Sequence, residues 1–242
     1  MTPGTLYGIG IGPGDPDLIT IKGAQLLGRC RHLFVPKARQ AADSVALGIV
    51  RKHLQPDTTI HAVLFPMVTD AAELETRWRE SARQVAAVLE QGEDACFVTL
   101  GDAFLYSTYI YLVRTLREVL PGATIVTVPG ITAFSAVAAA TEFPVGEGKM
   151  PVTIVPTADD LSAVDRALAG PGTVVLMKIG KRLDAVLDLL ERHQALDAGV
   201  FVAHAGMANE VVSTDLRALR GRGEGFGYLS TILVRAQRGG RS

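Results

Sequence analysis

Three short stretches of this chain combine glycine with proline or a carboxylate in a way that suits a ligand site lined by backbone. The first is Leu6-Tyr7-Gly8-Ile9-Gly10-Ile11-Gly12-Pro13-Gly14-Asp15-Pro16-Asp17-Leu18-Ile19-Thr20, the second Gly101-Asp102, and the third Pro129-Gly130. Glycine lets the main chain pass close to a ligand or take positive φ, at a cost in chain entropy. Glycines at 8, 10, 12 and 14 therefore read as a strand running into a surface that needs main-chain access. A glycine-rich turn with no ligand is the competing reading. A dinucleotide fingerprint does not fit, because G-x-G-x-x-G must open directly onto a helix N-terminus. Counted from Gly8, the third glycine falls at Pro13. Counted from Gly10, it falls at Asp15, which puts a carboxylate where a pyrophosphate would sit.

These stretches need elements to hold them. Leu6 to Gly10 reads as a strand, and Thr20 caps a helix that begins at Ile21 and stops near Gly28. His32 to Val35 is a second strand ending at Pro36, and Asp43-Ser44 starts a helix to about His53. Glu73 to Gln91 is the clearest helix, with Leu74, Trp78, Ala82, Val85 and Leu89 on one face. Glu73/Arg77 and Glu75/Arg79 add i,i+4 pairs on its wet side. Ala95 to Leu100 and Thr124 to Val128 are short apolar strands, separated by a helix from about Tyr106 to Val119. Thr132 can cap the helix that follows.

Strand and helix alternate throughout, the pattern of a largely parallel α/β sheet. In such sheets ligands gather at the carboxyl ends of strands. All three glycine loops fall there. From Phe143 to Gly148 the composition turns loop-like, which divides the chain into a first domain, 1–142, and a second, 148–242. The second repeats the pattern with strands at Val152 to Val155, Thr173 to Met177, Gly199 to Ala203, Glu210 to Ser213 and Tyr228 to Arg235. Its helices span Asp159 to about Ala169 and Lys181 to His193.

At 242 residues and 48% hydrophobic content, the chain has ample material for a buried core. A net charge of −1 gives no bias toward nucleic acid or a membrane surface. Two cysteines, Cys30 and Cys96, have no CxxC partner, so neither a zinc site nor a disulfide framework is expected. They read as buried, reduced thiols of a cytoplasmic protein. No signal peptide is recognisable. The uncharged run from Ala123 to Thr141 is split by Pro129-Gly130 and reads as strand, turn and helix rather than a membrane span.

Taken together, the motifs resemble those of the tetrapyrrole (corrin/porphyrin) methylases. Gly8-x-Gly10-x-Gly12-Pro13-Gly14-Asp15-Pro16-Asp17-Leu18-Ile19-Thr20 is similar to the family's opening motif. Gly101-Asp102 with Leu105-Tyr106-Ser107-Thr108 is similar to its second, and Val128-Pro129-Gly130-Ile131-Thr132-Ala133 to its third. Ala103 departs from the pattern, standing where the family usually has proline. Phe65-Pro66-Met67, the Trp78 helix and the segment from Asp102 to Thr108 resemble the members that methylate C20 of precorrin-2 to give precorrin-3A in cobalamin biosynthesis.

The resemblance implies two α/β domains with mixed, mostly parallel sheets, S-adenosylmethionine (SAM) in the cleft between them, and a homodimer. It assigns Gly101, Asp102, Ala103, Leu105, Ser107, Thr108, Thr132 and Ala133 to SAM in the first domain. In the second domain it assigns Met177, Ala205, Gly206, Met207 and Thr231. Gly12, Pro13, Gly14 and Asp15 would face the tetrapyrrole. Asp102 could accept from an ammonium or ribose hydroxyl, or cap the following helix as an Asx turn.

Methyl transfer from a sulfonium to an electron-rich carbon needs alignment more than acid–base help, and alignment can supply about 7–11 kcal/mol. No catalytic triad and no metal are expected, and the sequence names no base. The substrate is a polycarboxylate, so Lys37 and Lys149, with Arg39, Lys178 and Lys181, are candidate contacts, each taken singly more readily a solvated charge. The five histidines, including His204 beside the proposed pocket, carry no ligand assignment. The alternatives are the cobalt-loaded form of the same substrate, more distantly uroporphyrinogen methylation or diphthine synthesis, and a non-catalytic SAM-binding sensor.

Overall fold

The computed structural model describes residues 2–37, 44–65 and 70–236. Arg39, Asp43, Pro66 and Met67 lie outside these residues. Contacts divide the chain into two compact units, Met1–Thr132 and Ala133–Ser242.

In the first unit, strands β1 (Thr5–Gly10), β2 (His32–Lys37), β3 (Thr59–Leu64), β4 (Ala95–Thr99) and β5 (Thr124–Val128) form one sheet in the order β3-β2-β4-β1-β5. Every pairing in it is parallel. The interleaved helices are α1 (Ile21–Leu27), α2 (Val45–Val50), α3 (Ala71–Glu90) and α4 (Tyr109–Val119). Every residue of β4 is buried, as a central parallel strand covered on both faces requires. Thr20 caps α1 by accepting from the Gly23 N–H at 3.1 Å, and Ser44 caps α2. Strand β2 runs through Pro36 to Lys37. Its ladder with β4 ends at Phe34, so the proline sits where β2 has a neighbour on one side only.

Along α3 the expected stripe of Ala82, Val85 and Leu89 is buried, and Trp78 stacks on Tyr111 of α4 with centroids 4.4 Å apart. Arg79 pairs with Glu75 as expected, but Arg77 turns to Glu80 rather than Glu73. Helix α4 starts three residues later than the periodicity suggests, because Tyr106 takes a left-handed φ of 51°. Cys30 and Cys96, remote in sequence, lie side by side. Their thiols are hydrogen-bonded to each other, which together with burial pushes the Cys96 thiol up.

The second unit opens with α5 (Ala133–Thr141), followed by β6 (Val152–Pro156), α6 (Ser162–Leu168), β7 (Gly172–Met177), α7 (Leu183–Arg192), β8 (Gly199–Ala203), β9 (Val211–Ser213), α8 (Gly223–Phe226) and β10 (Ser230–Ala236). The division therefore falls before α5, ahead of the expected boundary in 143–147. Helix α5 belongs here because Val137 packs with Val175, Val200, Val202 and Leu233, one face of this unit's sheet. The alternating residues Val174, Leu176, Phe201, Ile232 and Val234 pack beneath α6 and α7 on the other face. The strand order is β6-β7-β10-β8-β9. Only β6–β7 is parallel; β10 runs antiparallel between β7 and β8, and β9 antiparallel to β8. The α/β fold is as expected, with its antiparallel pairings confined to this sheet.

Candidate functional site

With all strands of the first sheet parallel, the residues that follow them share one edge. Gly12 to Asp15 follow β1, Lys37 ends β2, Gly101 to Thr108 follow β4, and Pro129 to Thr132 follow β5. The three motifs meet there through backbone. Gly12 and Gly101 exchange hydrogen bonds of 3.3 and 2.7 Å, both at positive φ (79° and 67°). A Cβ at Gly130 would lie 2.1 Å from the Gly101 carbonyl oxygen and 2.6 Å from the Gly10 carbonyl carbon. At Gly8 it would lie 1.9 Å from the Tyr109 ring, whose hydroxyl is held by Thr127 Oγ1 at 2.9 Å. Gly130 and Gly8 thus admit the protein's own backbone and a tyrosine. Main-chain access to a ligand is not what these two positions require.

Asp102 joins two motifs. Its Oδ1 accepts from the Phe104 N–H at 2.8 Å, the Asx turn, and its Oδ2 from the Gly130 N–H at 3.0 Å. Both oxygens are engaged by the protein itself. Ala103 is fully buried in the core, backbone included, and Ser107 donates to the Ala103 carbonyl. Leu105, Thr108, Thr132 and Ala133 are half-buried; Thr132 closes the first unit and Ala133 opens the second. Gly12, Pro13 and Gly14 are buried, and Asp15 spends its carboxylate on the Asp17 N–H at 2.8 Å. Sequence reasoning missed the apolar surface of this edge. Phe104, Tyr106 and Ile131 are 55%, 38% and 36% exposed. Aromatic residues close behind Gly101-Asp102 were the available signal.

In the second unit Met177 ends β7 and is directly opposite Thr231 on β10. The loop after β8 turns on His204 and Gly206, at φ 54° and 73°, and His204 N–H donates to the Leu229 carbonyl at 2.8 Å, just ahead of β10. This brings Met177, Ala205, Gly206, Met207 and Thr231 to one end of the sheet. Thr157, at the tip of β6, joins them through its N–H to the Met177 carbonyl at 2.8 Å, and no sequence signal marked it. Lys149 is not brought to this end. It precedes β6, at the opposite end of the sheet, and is exposed. Lys178 lies 5.2 Å over the Tyr228 ring. A cavity of about 510 Å³ beside His204 is lined by Asn209, Val211, Arg222 and Phe226. Arg222, also unmarked in the sequence, holds its guanidinium 5.1 Å over the Phe226 ring. Among the described residues no three histidine, cysteine or acidic side chains form a metal-binding group, and no helix is long and apolar enough to cross a membrane.

Two α/β units with loops gathered at strand ends define a class with solved examples. The fold matches that of a cobalt precorrin-4 methyltransferase with a TM-score of 0.76, at 23% identity over 96% of this chain and 94% of that one. The family model for tetrapyrrole (corrin/porphyrin) methylases matches residues 5–219, and the chain belongs to that family. Within it, the chain is 34% identical over 234 residues to the cobalt-precorrin-2 C(20)-methyltransferase of Salmonella typhimurium, covering 97% of each. It is 28% identical to the precorrin-2 C(20)-methyltransferase of Sinorhizobium sp over 219 residues, 87% of each.

Proposed function

We propose that this protein is a SAM-dependent C-methyltransferase that methylates C20 of precorrin-2, giving precorrin-3A, in cobalamin biosynthesis. The observation that carries this is the 34% identity sustained over 97% of both chains with a C20-methyltransferase. The second reading is the same step on cobalt-precorrin-2, favoured by that relative's name; the Sinorhizobium relative's name favours the metal-free substrate.

When bound, SAM supplies a methyl group already activated by its sulfonium. The chain's own work is to bind and orient. In the first unit the candidate donor contacts are the backbone of Gly101 and Asp102 with Leu105. Ser107 and Asp102 are better read as residues that fix the loop, since their polar atoms are spent on protein partners. In the second unit Met177, Ala205, Gly206, Met207 and Thr231 remain candidates. The ring of the substrate is flat and apolar with an acidic rim. Exposed Phe104, Tyr106 and Ile131 suit its face, and Lys37, at the end of β2, suits its carboxylates. We further propose a cytoplasmic homodimer with no nucleic-acid partner.

Titration calorimetry with S-adenosylhomocysteine (SAH), followed by mass spectrometry of precorrin-2 incubated with SAM, tests this. A product heavier by one methyl is expected from the metal-free ring. Methylation of the cobalt-loaded ring alone selects the second reading, and SAH binding without product selects a non-catalytic sensor. Light scattering checks the dimer.

A further inference from the structure

Gly8 lies within β1, directly opposite Phe97 on β4 and Thr127 on β5. Having no side chain, it leaves a gap in that row, and the Tyr109 ring fills the gap. The ring stacks on Phe97 with centroids 5.8 Å apart, and its hydroxyl is hydrogen-bonded to Thr127 Oγ1 at 2.9 Å. Tyr109 is therefore fully buried and held across three adjacent strands. It is also the first residue of α4, whose late start follows from the left-handed φ of Tyr106.

This fixed ring carries another. Phe104 packs against Tyr109 edge to face, with centroids 5.6 Å apart and planes at 63°, and its N–H is bound by Asp102 Oδ1 at 2.8 Å. The other oxygen of that carboxylate holds the Gly130 N–H, one residue before Ile131. Phe104, Tyr106 and Ile131 make up the apolar surface of this sheet edge, and Phe104 is the most exposed of them. A single exposed phenylalanine needs no account by itself. Here, however, folding fixes both the backbone and the ring of Phe104 and still leaves more than half of the residue in water. An aromatic face fixed in advance need not be ordered when a flat ligand arrives. We propose that Tyr109 is a positioning residue for the methylation: seated over Gly8, it sets Phe104 as a rigid face on which the tetrapyrrole ring lies. This rests on the methyltransferase reading and deepens it, since it concerns how the ring, rather than the methyl donor, is recognised. It also gives Gly8 of the first motif a use at the second.

Steady-state kinetics with precorrin-2 and calorimetry with SAH test this on wild type, Phe104→Leu, Tyr109→Met, the double variant and Tyr109→Phe. Phe104→Leu stays apolar but loses the flat face. It should raise KM for the ring about fivefold, the size of one aromatic contact, with kcat little changed. Tyr109→Met fills the gap with a flexible chain and should raise KM by a similar factor. The double variant should be no worse than either single one, because Tyr109 acts through Phe104. Tyr109→Phe keeps the ring and should keep the wild-type KM. SAH should bind every variant within about twofold of wild type, as expected for a separate contact. Additive losses in the double variant, or weakened SAH binding in Tyr109→Met, overturn the positioning role. Weakened SAH binding in Phe104→Leu gives that ring to the methyl donor and overturns it as well. Tyr109→Leu takes the place of Tyr109→Met if the latter does not fold, and an unchanged KM at exposed Phe104→Leu overturns the inference by itself. If wild type methylates only the cobalt-loaded ring, the same variants are read on that ring. If it methylates neither, the methyltransferase reading fails and takes this inference with it.

Discussion

The loop ends of the two sheets are built on opposite plans. In the first unit the loops close on one another. Gly12 and Gly101 exchange backbone bonds, Gly10 and Gly130 are in van der Waals contact, and Asp102 holds the second and third motifs together. In the second unit the ties run between ordinary residues rather than packed glycines: His204 N–H to the Leu229 carbonyl, Thr157 N–H to the Met177 carbonyl and Gly180 N–H to Ser230 Oγ. The most conspicuous motif residues in the sequence are thus largely architectural.

The contrast breaks most sharply at Gly130. Gly130→Ala forces a methyl onto the Gly101 carbonyl, a clash against backbone that cannot move aside, and should cost about 3 kcal/mol or prevent folding. Gly48→Ala, on an exposed helix position with nothing within 4 Å, should instead stabilise by roughly 0.5–1 kcal/mol. Urea unfolding of both variants checks this, and equal effects would mean that the loops are not locked together.

Asp102→Ala comes next. Two backbone donors lose their acceptor, so stability should fall by about 2 kcal/mol, with SAH affinity falling as a consequence of the loosened loop. Asp102→Asn can satisfy only one of the two N–H groups and should lie between. If Asp102→Ala loses SAH affinity at unchanged stability, the carboxylate contacts the donor directly.

The smallest effect concerns pH and the far edge of the first sheet. Burial, and then the neighbouring His32, holds the His61 imidazole below its usual range; the rings share a 3.0 Å contact, and His61 stacks on Phe34 at 4.5 Å. The unfolded chain therefore binds this proton more readily than the native one. Stability from this site is complete above the ordinary histidine pKa, about 6.5, and is lost as pH falls from there toward the lowered native value. Unfolding midpoints should drop between pH 7 and pH 5, and by less in His61→Asn. A drop of the same size in both would move the effect to other groups.

How much of this the sequence carried depends on the residue. Thr124 to Val128 and Gly199 to Ala203 are strands as their apolar runs suggest, because short buried runs between turn residues leave few alternatives. The direction of β10 was not legible. Ile232, Leu233 and Val234 are buried on both faces, and such a run looks the same whichever way it lies between its neighbours. The loop-like composition near 143–148 did mark a break between elements, yet contacts divide the chain earlier, since the small residues of α5 lie flat on the second sheet. At the site, glycine spacing announced the loops but overstated their business with a ligand. Lys149 was chosen for its charge and its place in a loop, and the structure leaves it exposed ahead of β6.

One feature of the second sheet reaches beyond the finished molecule. Its middle strand, Ser230–Ala236, is the last one described, while both of its neighbours were made long before. On the ribosome β7 and β8 must wait with bare edges until the closing segment emerges, whereas the first unit has all its strands by Val128. A nascent chain stalled before Ser230 would carry one half ready to fold and another seeking a strand from any source, the circumstance in which chaperones and proteases decide its fate.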